Sequence, residues 1–224
     1  MLLLATDTSG KNGSVALARV TPGQSEVEIV DAVPLAGGTF SAQLVPQISA
    51  LLKKHGYSKS DLAGFAVVSG PGSFTGLRVG LAAIKALAEV LRKPIAAISL
   101  LEAVARSGSA RGRVLAALDA GRGEVYVGDY RVDSHTQMQS ERLVSREEFV
   151  TESKAKTVIT PDPALAKIAR AAGIQVEQIC YPDSRVIAHL GWSRLERGET
   201  VPPEVLDANY IRRSDAEIFS KPKL

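Results

Sequence analysis

The residues of this 224-residue chain with the clearest chemical potential sit in three glycine-rich turns. Ser69-Gly70-Pro71-Gly72-Ser73-Phe74-Thr75-Gly76-Leu77-Arg78-Val79-Gly80 follows a short apolar run and opens a helical pattern. A strand, glycines and a helix N-terminus make an anion site, because free backbone N–H groups and the helix dipole favour phosphate. Neither common phosphate pattern is complete. GxGxxG needs glycine where Thr75 stands, and no Gly-Lys-Ser/Thr follows for a P-loop. Taken by itself, the stretch reads better as a structural turn. Asp7-Thr8-Ser9-Gly10 and Asp119-Ala120-Gly121 each close an apolar run with a carboxylate and small residues. That composition suits a phosphate-facing loop, and equally any hairpin turn.

Other reactive groups are poorly placed. His55, His135 and His189 are not spaced for a shared metal. Ser73 lies in Gly-Ser-Phe-Thr-Gly, which is not a nucleophile elbow, and no histidine is placed to activate it; it reads as a helix cap.

The elements around these turns follow from periodicity. Residues 2–6 and 14–20 read as strands of a hairpin, with a third strand over 26–33. Leu44, Val45, Ile48, Leu51 and Leu52 put an apolar stripe on a helix over 41–55, ended by Gly56, with Pro46 expected in its first turn or at a bend. A strand over 64–69 leads into a helix over about 76–91, capped by Ser73 or Thr75 and ended by Lys93-Pro94, then a strand over 94–98. The second half restarts with runs at 113–118, 124–130 and 138–144, short pieces at 145–150, 157–160, 163–172 and 176–179, and a long helix over 183–197.

Asp7 and Asp119 lie half the chain apart in the same grammar of apolar run, Asp, small residues, Gly, apolar run, which indicates an internal duplication. The polar, small-residue stretch from Arg106 to Gly112 divides the chain into subdomains 1–107 and 108–224. Two βββαβα halves of this kind resemble the actin/hexokinase/Hsp70 (ASKHA, RNase H-like) α/β architecture, duplicated with a degenerate second half. In that architecture the two hairpin turns grip nucleotide phosphates and a metal. The resemblance makes Asp7, Thr8, Ser9, Gly10, Asp119 and Gly121 candidate vestigial phosphate-loop residues.

An apolar content of 45% with 23% charged residues is ordinary for a globular protein. A formal charge of +3 is too small to argue for nucleic acid without clustering. The lone Cys180 excludes an internal disulfide, and no run approaches a membrane span, so the expectation is a soluble cytoplasmic protein. Arg111, Arg113 and Arg122, and Arg212 and Arg213, could form nucleic-acid-facing patches, and Arg185, Arg194 and Arg197 lie on the last helix, but a dispersed set of solvated arginines is the commoner explanation.

The stretch 69–91 as a whole string is far more specific than its glycines. With Met1 to Ser9, Ile98 to Ala105, Leu118 to Tyr126 and a weaker echo in Asn209-Tyr210-Ile211-Arg212, it resembles the TsaB (YeaZ) family. These are non-catalytic paralogues of TsaD, the enzyme that makes threonylcarbamoyladenosine in tRNA. The resemblance implies a scaffold and activator for modification of adenosine 37 in tRNAs reading codons that begin with A. It implies the catalytic paralogue TsaD and the ATPase TsaE as partners, tRNA through the complex, and a homodimer when alone. It implies no cofactor on this chain, with ATP and metal on the partner subunits.

The catalytic relative carries a metal-binding His-x-x-x-His helix; here Leu100 and Val104 of Ser99-Leu100-Leu101-Glu102-Ala103-Val104 take those places. The chain departs from the family pattern at Phe40, Thr160-Pro161-Asp162-Pro163 and Asn209. Rival readings are an ATP-dependent small-molecule kinase of the same fold and a self-contained homodimeric binding module.

The central helix offers a partner surface. Its charged residues Arg78, Lys85, Glu89 and Arg92 share a narrow stripe, leaving a bulky arc (Leu77, Leu81, Ile84, Leu91) and a smaller one (Val79, Ala83, Ala86, Val90). The bulky arc is expected on the chain's own sheet. Leu44, Ile48, Gly76, Val79, Gly80, Ala83, Ala86, Leu87 and Val90 are the expected partner interface.

Overall fold

Short turns between apolar runs force antiparallel pairing, and helical crossovers force parallel pairing. In the computed structural model, which describes residues 1–133 and 136–211, the chain forms β1 (Leu2–Asp7), β2 (Gly13–Val20), β3 (Val27–Leu35), α1 (Phe40–Lys54), a 3-10 turn (Lys59–Asp61), β4 (Leu62–Gly70), α2 (Phe74–Leu91), β5 (Ile95–Ser99) and α3 (Leu100–Ser107). The pattern then repeats as β6 (Gly112–Gly121), β7 (Glu124–Val132), β8 (Thr136–Ser145), α4 (Arg146–Ser153), β9 (Thr157–Thr160), α5 (Pro163–Ala171) and β10 (Val176–Gln178), followed by α6 (Ser184–Glu196).

The strands make two five-stranded sheets of one order, β3-β2-β1-β4-β5 and β8-β7-β6-β9-β10. In each, the first three pair antiparallel and the last two join in parallel. The repeated mixed order is the duplicated ASKHA (RNase H-like) arrangement.

The chain separates into two units, Met1–Ala103 with Pro182–Ala208, and Val104–Tyr181 resuming at Asn209. This differs from division at 107/108, because α6 returns to the first sheet. Gly191 lies so close to β4 that a Cβ there would stand 2.3 Å from the Ala66 methyl. Ile187, Ala188 and Trp192 of the same helix are buried. Nothing local in 183–197 signals which sheet the helix will cover.

In the first unit α1 and α2 pack on one face of the sheet and α6 on the other, so β1 is buried along its whole length. Each fully buried leucine there, such as Leu3 or Leu4, contributes about 2 kcal/mol. The end of β1 that carries Asp7 is thereby held between two layers. In the second unit α4 and α5 share a core with the sheet, built on Leu115, Val125, Val127, Phe149 and Leu165.

The helix ends show local causes. Ser73 caps α2, its Oγ accepting the Gly76 N–H at 3.3 Å. Arg92 ends α2 in the left-handed region at φ +52°, before Pro94 is reached. Of the two places expected for Pro46, the first turn is not the one used: it stands in the second turn of α1, exposed like Ala42, whose carbonyl loses its helical donor and can be hydrated. Gly56 follows α1 at φ +72°. Among the described residues no helix is long and apolar enough to cross a membrane.

Candidate functional site

The turn after β1 is closed onto α2. Asp7, Thr8 and Ser9 are 3%, 3% and 2% exposed. The Asp7 Oδ1 accepts the Ser9 N–H at 2.8 Å and the Ser9 hydroxyl at 2.6 Å. The Thr8 hydroxyl donates to the Gly76 carbonyl at 2.7 Å, and the Ser73 N–H donates to the Ser9 carbonyl at 2.7 Å. Burial pushes the Asp7 carboxyl up in pKa, against the two Ser9 hydrogen bonds, which pull it down.

The glycines of the 69–80 stretch make room for this turn. A Cβ at Gly76 would lie 2.1 Å from the Thr8 carbonyl oxygen, and one at Gly80 would lie 2.4 Å from the Thr8 Oγ1. At Gly72 it would lie 2.5 Å from the Ser9 carbonyl oxygen. The Ser73 N–H, at the start of α2, is thus taken up by the chain's own turn. The structure brings Asp7, Thr8 and Ser9 together with Gly72, Gly76 and Gly80, while Gly10 beside them is half-buried.

The second unit carries the corresponding pair of turns. The Asp119 N–H donates to the Asp162 Oδ2 at 2.7 Å, tying the β6–β7 turn to the β9–α5 turn. The Gly121 N–H donates to the Asp119 Oδ1 at 3.2 Å. Gly121, Arg122 and Gly123 are all left-handed, at φ +74°, +54° and +83°. Asp119 is exposed, and burial pushes the Asp162 carboxyl up.

The expected partner interface needs correction at four residues. Leu44 and Ile48 are buried under the chain's own α1–α2 packing, at 1% and 4% exposure. Gly76 and Gly80 face Thr8. All four are buried within the chain's own packing. Leu77, Leu81 and Ile84 are buried, Val79, Ala83 and Leu87 are half-buried, and Ala86 and Val90 are exposed.

The outward surface also includes Ser49 on α1 and Phe74 and Ala82 on α2, absent from the expected interface, and Val45, which is exposed although the sequence pattern groups it with the buried stripe of α1. Val45 and Ser49 stand one position, about 100°, from Leu44 and Ile48. The second, smaller-residue stripe of α1 was the available signal. At the start of α2 the Arg78 guanidinium lies 3.7 Å from the Phe74 ring centroid, a cation–π contact.

Leu100 and Val104 are buried, and Glu102 between them pairs with Arg194. Among the described residues no three His, Cys, Asp or Glu side chains gather as a metal site. His55 lies 2.9 Å from Asp31, and His135 lies outside the described residues. Several candidate tRNA-facing arginines have partners within their own unit: Arg113 with Asp129, Arg185 with Asp183, Arg194 with Glu102 and Arg197 with Glu199. Arg111 donates to the Gly108, Ser109 and Ala110 carbonyls. Arg212 and Arg213 lie outside the described residues.

A family model described as TsaD, tRNA N6-adenosine threonylcarbamoyltransferase, matches residues 34–188. The Bacillus subtilis tRNA threonylcarbamoyladenosine biosynthesis protein TsaB is 35% identical over 132 residues, which is 58% of this chain and 56% of that protein. The Escherichia coli protein of the same name is 28% identical over 229 residues, or 96% of each chain. YeaZ from Pseudomonas aeruginosa superposes with a TM-score of 0.77 at 26% identity, covering 93% of this chain and 99% of that one. The repeated sheets, the 69–91 stretch seated on Thr8, and these matches along the chain show that it belongs to the TsaB (YeaZ) family of tRNA threonylcarbamoyladenosine biosynthesis proteins, paralogous to TsaD.

Proposed function

We propose that this chain is a non-catalytic subunit of the complex that puts the threonylcarbamoyl group on adenosine 37 of tRNAs reading codons that begin with A. It pairs with the catalytic paralogue TsaD, works with the ATPase TsaE in the cytoplasm, and meets tRNA through the complex. The observation that carries this reading is the pair Leu100 and Val104, apolar and buried where the resemblance puts two metal-ligating histidines. A hydrocarbon side chain cannot ligate a metal, so the chemistry falls to the partner.

The partner surface is the outward face of α1 and α2. Val45 is 54% and Val90 74% exposed, and Ser49, Ala82 and Ala86 are exposed with them. Small side chains on two neighbouring helices let another helix pair approach closely, and they leave little side-chain entropy to lose. The same face serves a homodimer when the chain is alone, so the two associations compete. Asp7 and Asp119 are then remnants of phosphate turns, with nucleotide and metal held by the partner subunits.

Reconstitution tests the reading. The chain alone is expected to yield no modified tRNA and to hold no stoichiometric iron or zinc. The paralogue and the ATPase together are expected to yield product only when the chain is added. Product from the chain alone, or full product without it, contradicts the scaffold role.

A further inference from the structure

We propose that Thr8 is the positioning residue that sets how deep α2 sits on the first sheet, and through that depth sets the geometry of the outward face. The proposal rests on the reading that this face binds the partner. Gly76 and Gly80 stand one helical turn apart on the inward side of α2. Both touch the same residue. Thr8 presents its carbonyl oxygen to Gly76 and its Oγ1 to Gly80, at distances that leave no room for a Cβ. The hydroxyl also donates to the Gly76 carbonyl at 2.7 Å, so the contact is directional as well as close.

Thr8 is itself held. The Asp7 carboxylate takes both donors of Ser9, and the Ser9 carbonyl takes the Ser73 N–H where α2 begins. The seat therefore runs from a buried carboxylate through the turn to the cap of the helix. Ala82 lies about 200° around the helix from Gly80, on the exposed side. A close-packed helix moves as a body, so a displacement at the inward glycines reappears at Ala82 and Ala86. Gly76 and Gly80, which belong to a stretch that reads in sequence as a weak phosphate loop, act as the socket for Thr8.

The test compares Gly80→Ala, Thr8→Ala and the double variant, each checked for native fold by circular dichroism. Self-association is read by sedimentation, and binding to the catalytic paralogue from the same organism by calorimetry. Gly80→Ala is expected to weaken association about tenfold, and Thr8→Ala about threefold. The double variant is expected to return to within about twofold of the parent, because the added methyl fills the space the Thr8 side chain vacates.

No weakening by Gly80→Ala, or weakening that Thr8→Ala does not relieve, overturns the positioning role. If Gly80→Ala fails to fold, Thr8→Val takes its place: about threefold weakening supports the seat, and unchanged affinity overturns it. Ala86→Arg on the outward face separates the two claims. If it abolishes association while Gly80→Ala is silent, only the positioning role falls. If it leaves association intact, the interface reading falls and takes the proposal with it.

Discussion

In the first unit the turn after β1 is packed beneath α2, with the Thr8 hydroxyl on the Gly76 carbonyl and the Ser9 carbonyl on the Ser73 N–H. In the second unit the turn after β6 stands exposed at Asp119 and reaches the β9–α5 turn through the Asp162 carboxylate. The sheets are topologically the same, so the difference comes from the helix that follows. The β4–α2 stretch has glycine at 70, 72, 76 and 80, whereas 160–172 has none and begins Thr160-Pro161-Asp162-Pro163. A helix without glycine on its inward side cannot bring its backbone against the turn. Duplication supplied two equivalent turns, and the glycines built one of them into the core.

The largest expected effect comes from adding one methyl to each turn. Gly76→Ala sets a Cβ against the Thr8 backbone, which cannot yield as a side chain can. It is expected to cost about 3 kcal/mol in urea unfolding. Gly121→Ala has open space around it and costs only its left-handed backbone, about 1 kcal/mol. Equal losses would remove the distinction between the two turns.

A smaller effect is expected from removing charge. Burial raises the Asp7 pKa above its ordinary 3.8 in the folded chain. The folded state then holds the proton more tightly than the unfolded one, so this group's contribution to stability falls as pH rises from about 3.8 through the raised value. Asp7→Asn keeps the Oδ1 acceptor for Ser9 and loses the buried charge. Stability at pH 7 is expected to rise by about 1 kcal/mol, with a flatter profile above that window. Asp119→Asn, at an exposed site, is expected to stay within about 0.5 kcal/mol of the parent. A drop for Asp7→Asn at pH 7 would show that the ionised carboxylate stabilises the turn.

The smallest effect is one of local opening. The Ser73 amide, bonded to a buried carbonyl, should exchange hydrogen at a rate close to global unfolding, and the Asp119 amide much faster. Asp162→Ala should speed exchange at Asp119 further and leave Ser73 unchanged. Matching rates at the two amides in the parent protein would contradict the contrast.

Much of this contrast was legible in the sequence. Alternating apolar runs and turn residues placed both hairpins, and the recurrence of Asp after an apolar run exposed the duplication that the two sheets display. Of the two capping residues the sequence offers, Ser73 and Thr75, the helix uses Ser73. Long-range packing was not legible. The glycines at 76 and 80 indicated a close approach, but the group that approaches, Thr8, is far away in sequence and gives no local sign of it. The same limit hid the return of α6 to the first sheet, where Gly191 meets Ala66. For Leu44 and Ile48, an apolar stripe does not say which surface covers it; α1 turns its larger side chains to its own core and presents Val45 and Ser49 outward.

The most direct measurement is a reconstituted modification assay with Ala86→Arg, run beside sedimentation of the same protein. Ala86 is exposed, so the variant should keep the circular dichroism of the parent. Self-association, binding to the catalytic paralogue and threonylcarbamoyladenosine formation should all be lost together. An intact complex forming product at the parent rate would contradict the interface reading.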